Sequence, residues 1–275
     1  MGKTLNLFRR IYSKFVESRV LSRIIGYENC LKIGVLERPH YGYCVYHAAI
    51  LAKKLGINRI SVLELGVAGG NGLLNLEYHA HQVTKCVDIE IDVYGFDTEC
   101  GLPSSLDYRD QPYLYEKGSY NIDVQKLRNR LKTAKLVLGD IKDTIRFFFK
   151  EYDPAPIGAI AFDMDYYSST RDSLEMFKAN EKYFLPRMFC YFDDVSGNEW
   201  SLNNEFTGER LAISEFNESH ETMKFAKAHY LLSRRIVRPW YHKIWIYHNF
   251  RHRKYNVFIA NTNIQNSLRT RAPGG

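Results

Sequence analysis

A short apolar strand that runs straight into a glycine-rich turn and then a helix constrains this chain more than any other feature. Ile60-Ser61-Val62-Leu63-Glu64-Leu65 leads into Gly66-Val67-Ala68-Gly69-Gly70-Asn71-Gly72, and Leu73 to Val83 has apolar residues at helical spacing. Strand, glycine turn and helix together open a nucleotide-binding α/β unit. The same alternation then repeats. Strands are expected at Ile91–Phe96, Lys135–Leu138, Ile157–Phe162 and Met188–Phe192, with helices at 122–131, 144–152, 169–183 and 209–217 between and after them. Ser169 and Asp172 are spaced for a capping box on the third of these helices. Lys243–Tyr247 and Tyr255–Ile259 alternate as two late strands around a turn at 249–254. The fold class is therefore α/β: a doubly wound, mostly parallel, seven-stranded sheet with helices on both faces. Upstream, Tyr46–Leu55 reads as a helix stopped by Gly56. Leu5 to Ile25 reads as a basic amphipathic helix, with apolar Leu7, Ile11, Phe15, Val20 and Ile24 at helical spacing and basic residues between them. No linker or repeat divides the chain. The expected organisation is an N-terminal helical extension over 1–40, one domain over 41–265 and a tail over 266–275.

Composition narrows the class. Of 275 residues, 45% are hydrophobic and 25% charged, which excludes disorder and fibrous repeats. No apolar run reaches the ~18 residues of a membrane span. The five cysteines (Cys30, Cys44, Cys86, Cys100 and Cys190) are odd in number and lack zinc spacing. That points to a reducing, cytoplasmic setting. No secretory signal is visible at the N-terminus, and Asn6 breaks the myristoylation pattern. Charge is unevenly distributed: residues 222–275 carry +11, residues 1–28 carry +4, and 29–221 carry −8. The basic ends suit a phosphorylated or lipid-linked partner, or peripheral contact with an anionic membrane; an ordinary solvated surface is the alternative. Nucleic acid is a weaker candidate. Arg251-His252-Arg253-Lys254 lies among Trp240, Tyr241, Trp245 and Tyr247, but those aromatics alternate as a buried strand requires.

In open α/β sheets, ligands bind beyond the carboxyl ends of the strands. Those ends here carry Asp97, Asp140, Asp163 and the pair Asp193-Asp194. Aligned carboxylates need partners, which can be ligand hydroxyls, amines or a cation. In the first turn Ala68 stands where a dinucleotide site has its second glycine, and Glu64 precedes the turn. An acid there suits a ligand with a positive amino group and no phosphate, so S-adenosylmethionine fits better than NAD. Asp97, 31 residues after Gly66, is placed for ribose hydroxyls, a device that NAD sites share.

Four segments carry a resemblance. Val62-Leu63-Glu64-Leu65-Gly66-Val67-Ala68-Gly69-Gly70 resembles motif I of the class I S-adenosylmethionine-dependent methyltransferases. Tyr94-Gly95-Phe96-Asp97-Thr98 with Gly101-Leu102-Pro103, Phe162 to Thr170 (with Asp163-Met164-Asp165), and Tyr191-Phe192-Asp193-Asp194 resemble segments of the macrocin O-methyltransferase family, in order, over roughly residues 40–260. The resemblance implies a Rossmann-like methyltransferase fold and magnesium-dependent methylation of a hydroxyl on a sugar or glycan precursor. It implies a cofactor site of Glu64, Gly66, Ala68, Gly69, Gly70, Asp97, Thr98, Asp140, Ile141 and Asp163. It also implies a metal site of Asp163, Asp193 and Asp194, with Asp165 competing for the first place. Asp163 or Asp165 is the candidate catalytic base, and His220 a more distant one. The chain departs from the family after the acidic pair, where Val195-Ser196-Gly197 replaces a Tyr. Two rival readings are an NAD-linked oxidoreductase and a non-catalytic nucleic-acid or membrane binder. A homo-oligomer is compatible with all three.

Overall fold

The structure, a computed structural model, describes residues 20–260. Most of the expected N-terminal amphipathic helix, and the expected tail over 266–275, lie outside the described residues; residues 20–25 are helical. The chain then forms α1 (Tyr27–Ile33), α2 (Pro39–Lys54), β1 (Arg59–Leu65), α3 (Asn71–Val87), β2 (Glu90–Asp97), α4 (Val124–Arg128), β3 (Lys135–Leu138), α5 (Ile141–Tyr152), β4 (Ile157–Phe162), α6 (Tyr167–Ser173), β5 (Phe184–Phe192), α7 (Gly208–Ser219), β6 (Met223–Lys227), α8 (His229–Leu232) and β7 (Ile244–Asn249).

These strands make one seven-stranded sheet in the order β3-β2-β1-β4-β5-β7-β6. Pairs among β1 to β5 are parallel, and β7 runs antiparallel between β5 and β6. β4 is buried along its whole length, and β1 everywhere except its first residue. A central parallel strand covered on both faces requires such continuous apolar runs. The usual dinucleotide-binding order is 3-2-1-4-5-6. The insertion of antiparallel β7 departs from it.

Several sequence expectations are corrected. The helix expected at 169–183 is α6 followed by separate 3-10 turns at Leu174–Lys178 and Glu181–Tyr183. Its capping box does not form: Tyr166 is the N-cap, and Asp172 accepts from the Arg171 guanidinium instead. The strand expected at 255–259 is absent. The hairpin partner of β7 lies upstream, in β6, because Met223–Lys227 pairs with Trp245–Asn249. The helix expected at 122–131 shortens to α4, and α2 begins seven residues earlier than expected, with Pro39 in its first turn. All five cysteines are free thiols, three of them buried. Among the described residues, no helix is long and apolar enough to cross a membrane.

The sheet matters to the site because its hydrogen-bond ladder continues past the strand ends. Gly66 N–H donates to Phe96 O, Gly139 N–H to Asp97 O, Asp163 N–H to Leu65 O and Asp193 N–H to Phe162 O, each at 2.9–3.0 Å. Parallel register therefore delivers the first residue after each strand to a common edge. That edge reverses direction between β1 and β4, the switch point at which α/β sheets bind ligands.

Candidate functional site

A cavity of about 530 Å³ opens at this switch point. Glu64, Gly66, Ala68, Gly69, Asp97, Thr98, Ile141, Asp163, Asp165, Asp193 and Asp194 all line it. Three candidates are located elsewhere. Asp140 faces solvent and caps α5, accepting from Lys142 N–H at 2.9 Å. Gly70 backs onto Leu127, where a Cβ would come within 2.3 Å of Cδ1. His220 lies at the end of α7, stacked on Phe216, with Nδ1 2.9 Å from the Phe216 carbonyl, so it cannot act as a base in this cavity.

The wall next to β1 and β2 is built by backbone geometry. Gly66 has φ of +90°, and a Cβ there would lie 1.8 Å from the Asp163 carbonyl oxygen, so glycine is required. Ala68 also has positive φ, at 44°. The Asp97 carboxylate stabilises this turn: one oxygen accepts from Val67 N–H at 3.0 Å and Ala68 N–H at 2.8 Å, and the other from Glu99 N–H. Beyond the ribose role expected from sequence, the Asp97 carboxylate thus organises the turn itself. Thr98 Oγ1 donates to the Gly101 carbonyl, closing the next loop.

Glu64 lies beneath the turn and is 1% exposed. Oε1 accepts from Tyr41 Oη at 2.6 Å, whereas Oε2 finds no hydrogen-bond partner among the described residues. Burial pushes its carboxyl up to about 8. Arg38, from the left-handed residue before α2, also lines the cavity, and its charge partly offsets that rise. A buried carboxylate oxygen without a partner, facing a cavity, fits a ligand with an ammonium group.

The wall formed by β4, β5 and β7 is built by side chains. Asp163, Asp193 and Asp194 each offer an oxygen within 4.8 Å of the others. Among the described residues, no other trio of acid, histidine or cysteine ligands meets this closely. The floor is apolar, with Phe162 and Phe192 stacked 4.3 Å apart just behind the acids. Burial and then like charge raise three of the group: Asp163 well above the usual carboxylate range, Asp165 to about 8 and Asp194 to about 6. Asp193 goes the other way. Burial would raise it, but Lys243 Nζ at 2.9 Å and the Tyr191 hydroxyl outweigh that and hold it low. Asp194 is braced on every side. Its Oδ1 accepts from Tyr115 Oη at 3.0 Å, its Oδ2 from Asp165 N–H at 3.1 Å, and its own N–H donates to buried Glu209. Carboxylates that repel one another at this spacing, on rigid elements, fit a hard divalent cation bound through oxygen.

Sequence reasoning missed Arg38, Tyr41, Tyr115, Tyr191, Glu209 and Lys243. Only Lys243 left a visible sign, as a charge at the start of an otherwise apolar late strand. The antiparallel pairing of Tyr191 with Ile244 brings it beside Asp193.

No protein-family model matches the chain, and none of the curated proteins matches it. Solved structures do. A calicheamicin methyltransferase, CalS11, superposes over 87% of this chain and 92% of its own, with a TM-score of 0.52 and 18% identity. The O-methyltransferase NovP superposes over 78% and 81%, with a TM-score of 0.50 and 14% identity. The strand order, the glycine turn and these superpositions agree: the chain folds as the class I S-adenosylmethionine-dependent methyltransferases do.

Proposed function

We propose that this protein is an S-adenosylmethionine-dependent O-methyltransferase acting on a hydroxyl of a sugar or glycan precursor. One observation carries the reading. The glycine turn with buried Glu64 and the Asp163, Asp193, Asp194 cluster line a single cavity. The fold shared with a calicheamicin methyltransferase and the O-methyltransferase NovP supports it.

In this reading Glu64 pairs with the ammonium of the donor's amino acid end, and the turn at Gly66–Gly69 lets the ligand approach the backbone. Asp97 and Thr98 meet the ribose, and Ile141 covers the adenine side. The acceptor enters from the wall of Tyr115, Tyr120 and the acids. Asp163, Asp193 and Asp194 would hold a divalent cation such as Mg2+, which would supply Lewis-acid assistance in lowering the pKa of an acceptor hydroxyl. Asp165 takes the hydroxyl proton. The oxygen–carbon bond forms as the sulfur–carbon bond breaks, leaving S-adenosylhomocysteine. Holding donor and acceptor in line contributes much of the acceleration, because the two walls belong to one rigid sheet. The basic ends of the chain favour an acceptor that is phosphorylated or lipid-linked.

Isothermal titration tests the donor half: S-adenosylmethionine binds wild type, and Asp97→Ala weakens it. Absence of binding to wild type would remove the reading altogether. An activity assay with EDTA tests the metal half, where unchanged turnover excludes the cation.

A further inference from the structure

Exposed branched aliphatic residues are unevenly placed on this protein. Among the described residues, the exposed β-branched ones are Val20, Ile24, Ile25, Ile33 and Val35 in one segment, Ile236 and Val237 in another, and Val257 elsewhere, while exposed leucines lie apart at Leu106 and Leu202. Ile24 is 74% exposed and Ile236 70%. The fold ties the two segments together. Arg238 donates to the Ile33 carbonyl, and its guanidinium packs so closely over Gly34 that a Cβ there would lie 2.5 Å away. Ile33 and Val35 flank Gly34, and Ile236 and Val237 precede Arg238, so these four form one apolar patch around that joint.

Basic residues accompany the patch. Lys32, Arg234 and Arg235 are exposed next to its residues along the chain, and Arg23 is exposed upstream. The acids of the same stretch are Glu28, loosely paired with Lys32 at 4.0 Å, and Glu37. The whole of 222–260 contains no acid. Upstream, the basic amphipathic sequence pattern that starts at Leu5 runs into the helical residues 20–25. Aliphatic side chains beside Lys and Arg suit a bilayer interface, where the apolar groups enter the headgroup boundary and the cations meet anionic lipid.

We propose that this face docks on an anionic membrane surface. Val35 is three residues from Arg38, which lines the cavity, so the docked face lies within about 10 Å of the cavity wall along the chain. A membrane-bound protein would thus hold its cavity near the headgroups.

Co-sedimentation of the full chain with phosphatidylcholine vesicles, with and without phosphatidylserine, tests the docking. No methyl donor is present, so the result is independent of the proposed activity. Wild type is expected to pellet with the anionic vesicles and to be released by high salt. Arg235→Gln should weaken partitioning roughly fivefold. The double variant Ile236→Asp, Val237→Asp should weaken it more than about tenfold, with an unchanged thermal melt. Equal recovery with neutral and anionic vesicles overturns the proposal, as do variants that bind like wild type. Self-association in analytical ultracentrifugation without lipid, abolished by the same substitutions, would overturn it in favour of a second copy of this chain. If the double variant melts early, Arg235→Gln alone decides, because that side chain is exposed.

Discussion

The two walls of the cavity are built on opposite plans. The wall next to β1 and β2 relies on backbone: a left-handed glycine, a positive-φ alanine and amide N–H groups gathered by Asp97. The wall next to β4, β5 and β7 relies on side chains: four acids, one lysine and two tyrosine hydroxyls from separate parts of the chain. The first wall tolerates little change in shape, and its carboxylates, Glu64 and Asp97, are held by a tyrosine hydroxyl and by backbone N–H groups. The second is tightly charged and depends on compensation. Substitutions in the turn of the first should therefore act through folding and donor affinity, those among the acids of the second through chemistry, and those that alter a buried charge in either through pH.

The largest effect expected is that of Gly66→Ala. The new Cβ would meet the Asp163 carbonyl at 1.8 Å in a left-handed backbone, so destabilisation of about 3 kcal/mol or more is expected in a denaturant melt. A melt within 1 kcal/mol of wild type, as an order-of-magnitude bound, would show that the turn is not rigid. Next comes a paired contrast. Asp163→Asn should lower methyl transfer by about 100-fold or more while leaving donor affinity nearly intact. Asp97→Ala should raise the donor Kd by about 10-fold or more, as expected for loss of a charged hydrogen-bonding group. If both substitutions change affinity and turnover equally, the two-wall division fails.

Lys243→Met sharpens the comparison by removing compensation. With Lys243 present, the Asp193 pKa is depressed, so its contribution to stability is present above the unfolded carboxylate pKa and is lost as pH falls through the folded value. The variant should lose about 1–2 kcal/mol at neutral pH, a figure discounted because Asp193 is 37% exposed. The gap should close in acid. Thermal melts across pH check this, and added Mg2+ should restore part of the loss.

Glu64→Gln reports the opposite sign. The folded Glu64 pKa is raised to about 8, so the native state binds more protons than the unfolded one between the ordinary carboxylate value of 4.5 and about 8. Stability falls as pH rises through that window. The glutamine variant should melt several degrees above wild type at the alkaline end and converge with it toward acid. Identical pH profiles would mean that Glu64 is not buried. The smallest effect is expected for Asp172→Ala, because Asp172 makes an ion pair with its neighbour Arg171 and no capping box: less than about 1 kcal/mol in the same melt.

Local pattern made the first wall legible. Val62 to Gly70 specifies a buried strand, a tight turn and a helix start within nine residues, and all the needed interactions are short in sequence. Alternation of apolar runs with helical spacing likewise marked β1 to β5, with β3 and β4 matching to the residue. Misreadings came where period was ambiguous or partners were distant. Tyr255–Ile259 has alternating residues but no free sheet edge beside β7, because β6 and β5 take both. Residues 169–183 have helical spacing, yet Leu174–Lys178 tightens to a 3-10 turn and Asp172 pairs with Arg171 in place of a cap.

By itself, the sequence determined that this chain alternates strand and helix, that its first turn needs glycine, and that acids follow the second, fourth and fifth strands. Those properties rest on steric and hydrophobic periodicity, which act between residues close along the chain. Tertiary structure alone decided that Asp163, Asp193 and Asp194 meet within 4.8 Å, that Lys243 compensates one of them, and that Asp140 and His220 stand apart. The reason is physical: strand order and antiparallel insertion set distances between residues tens of positions apart, and electrostatic coupling depends on those distances in space.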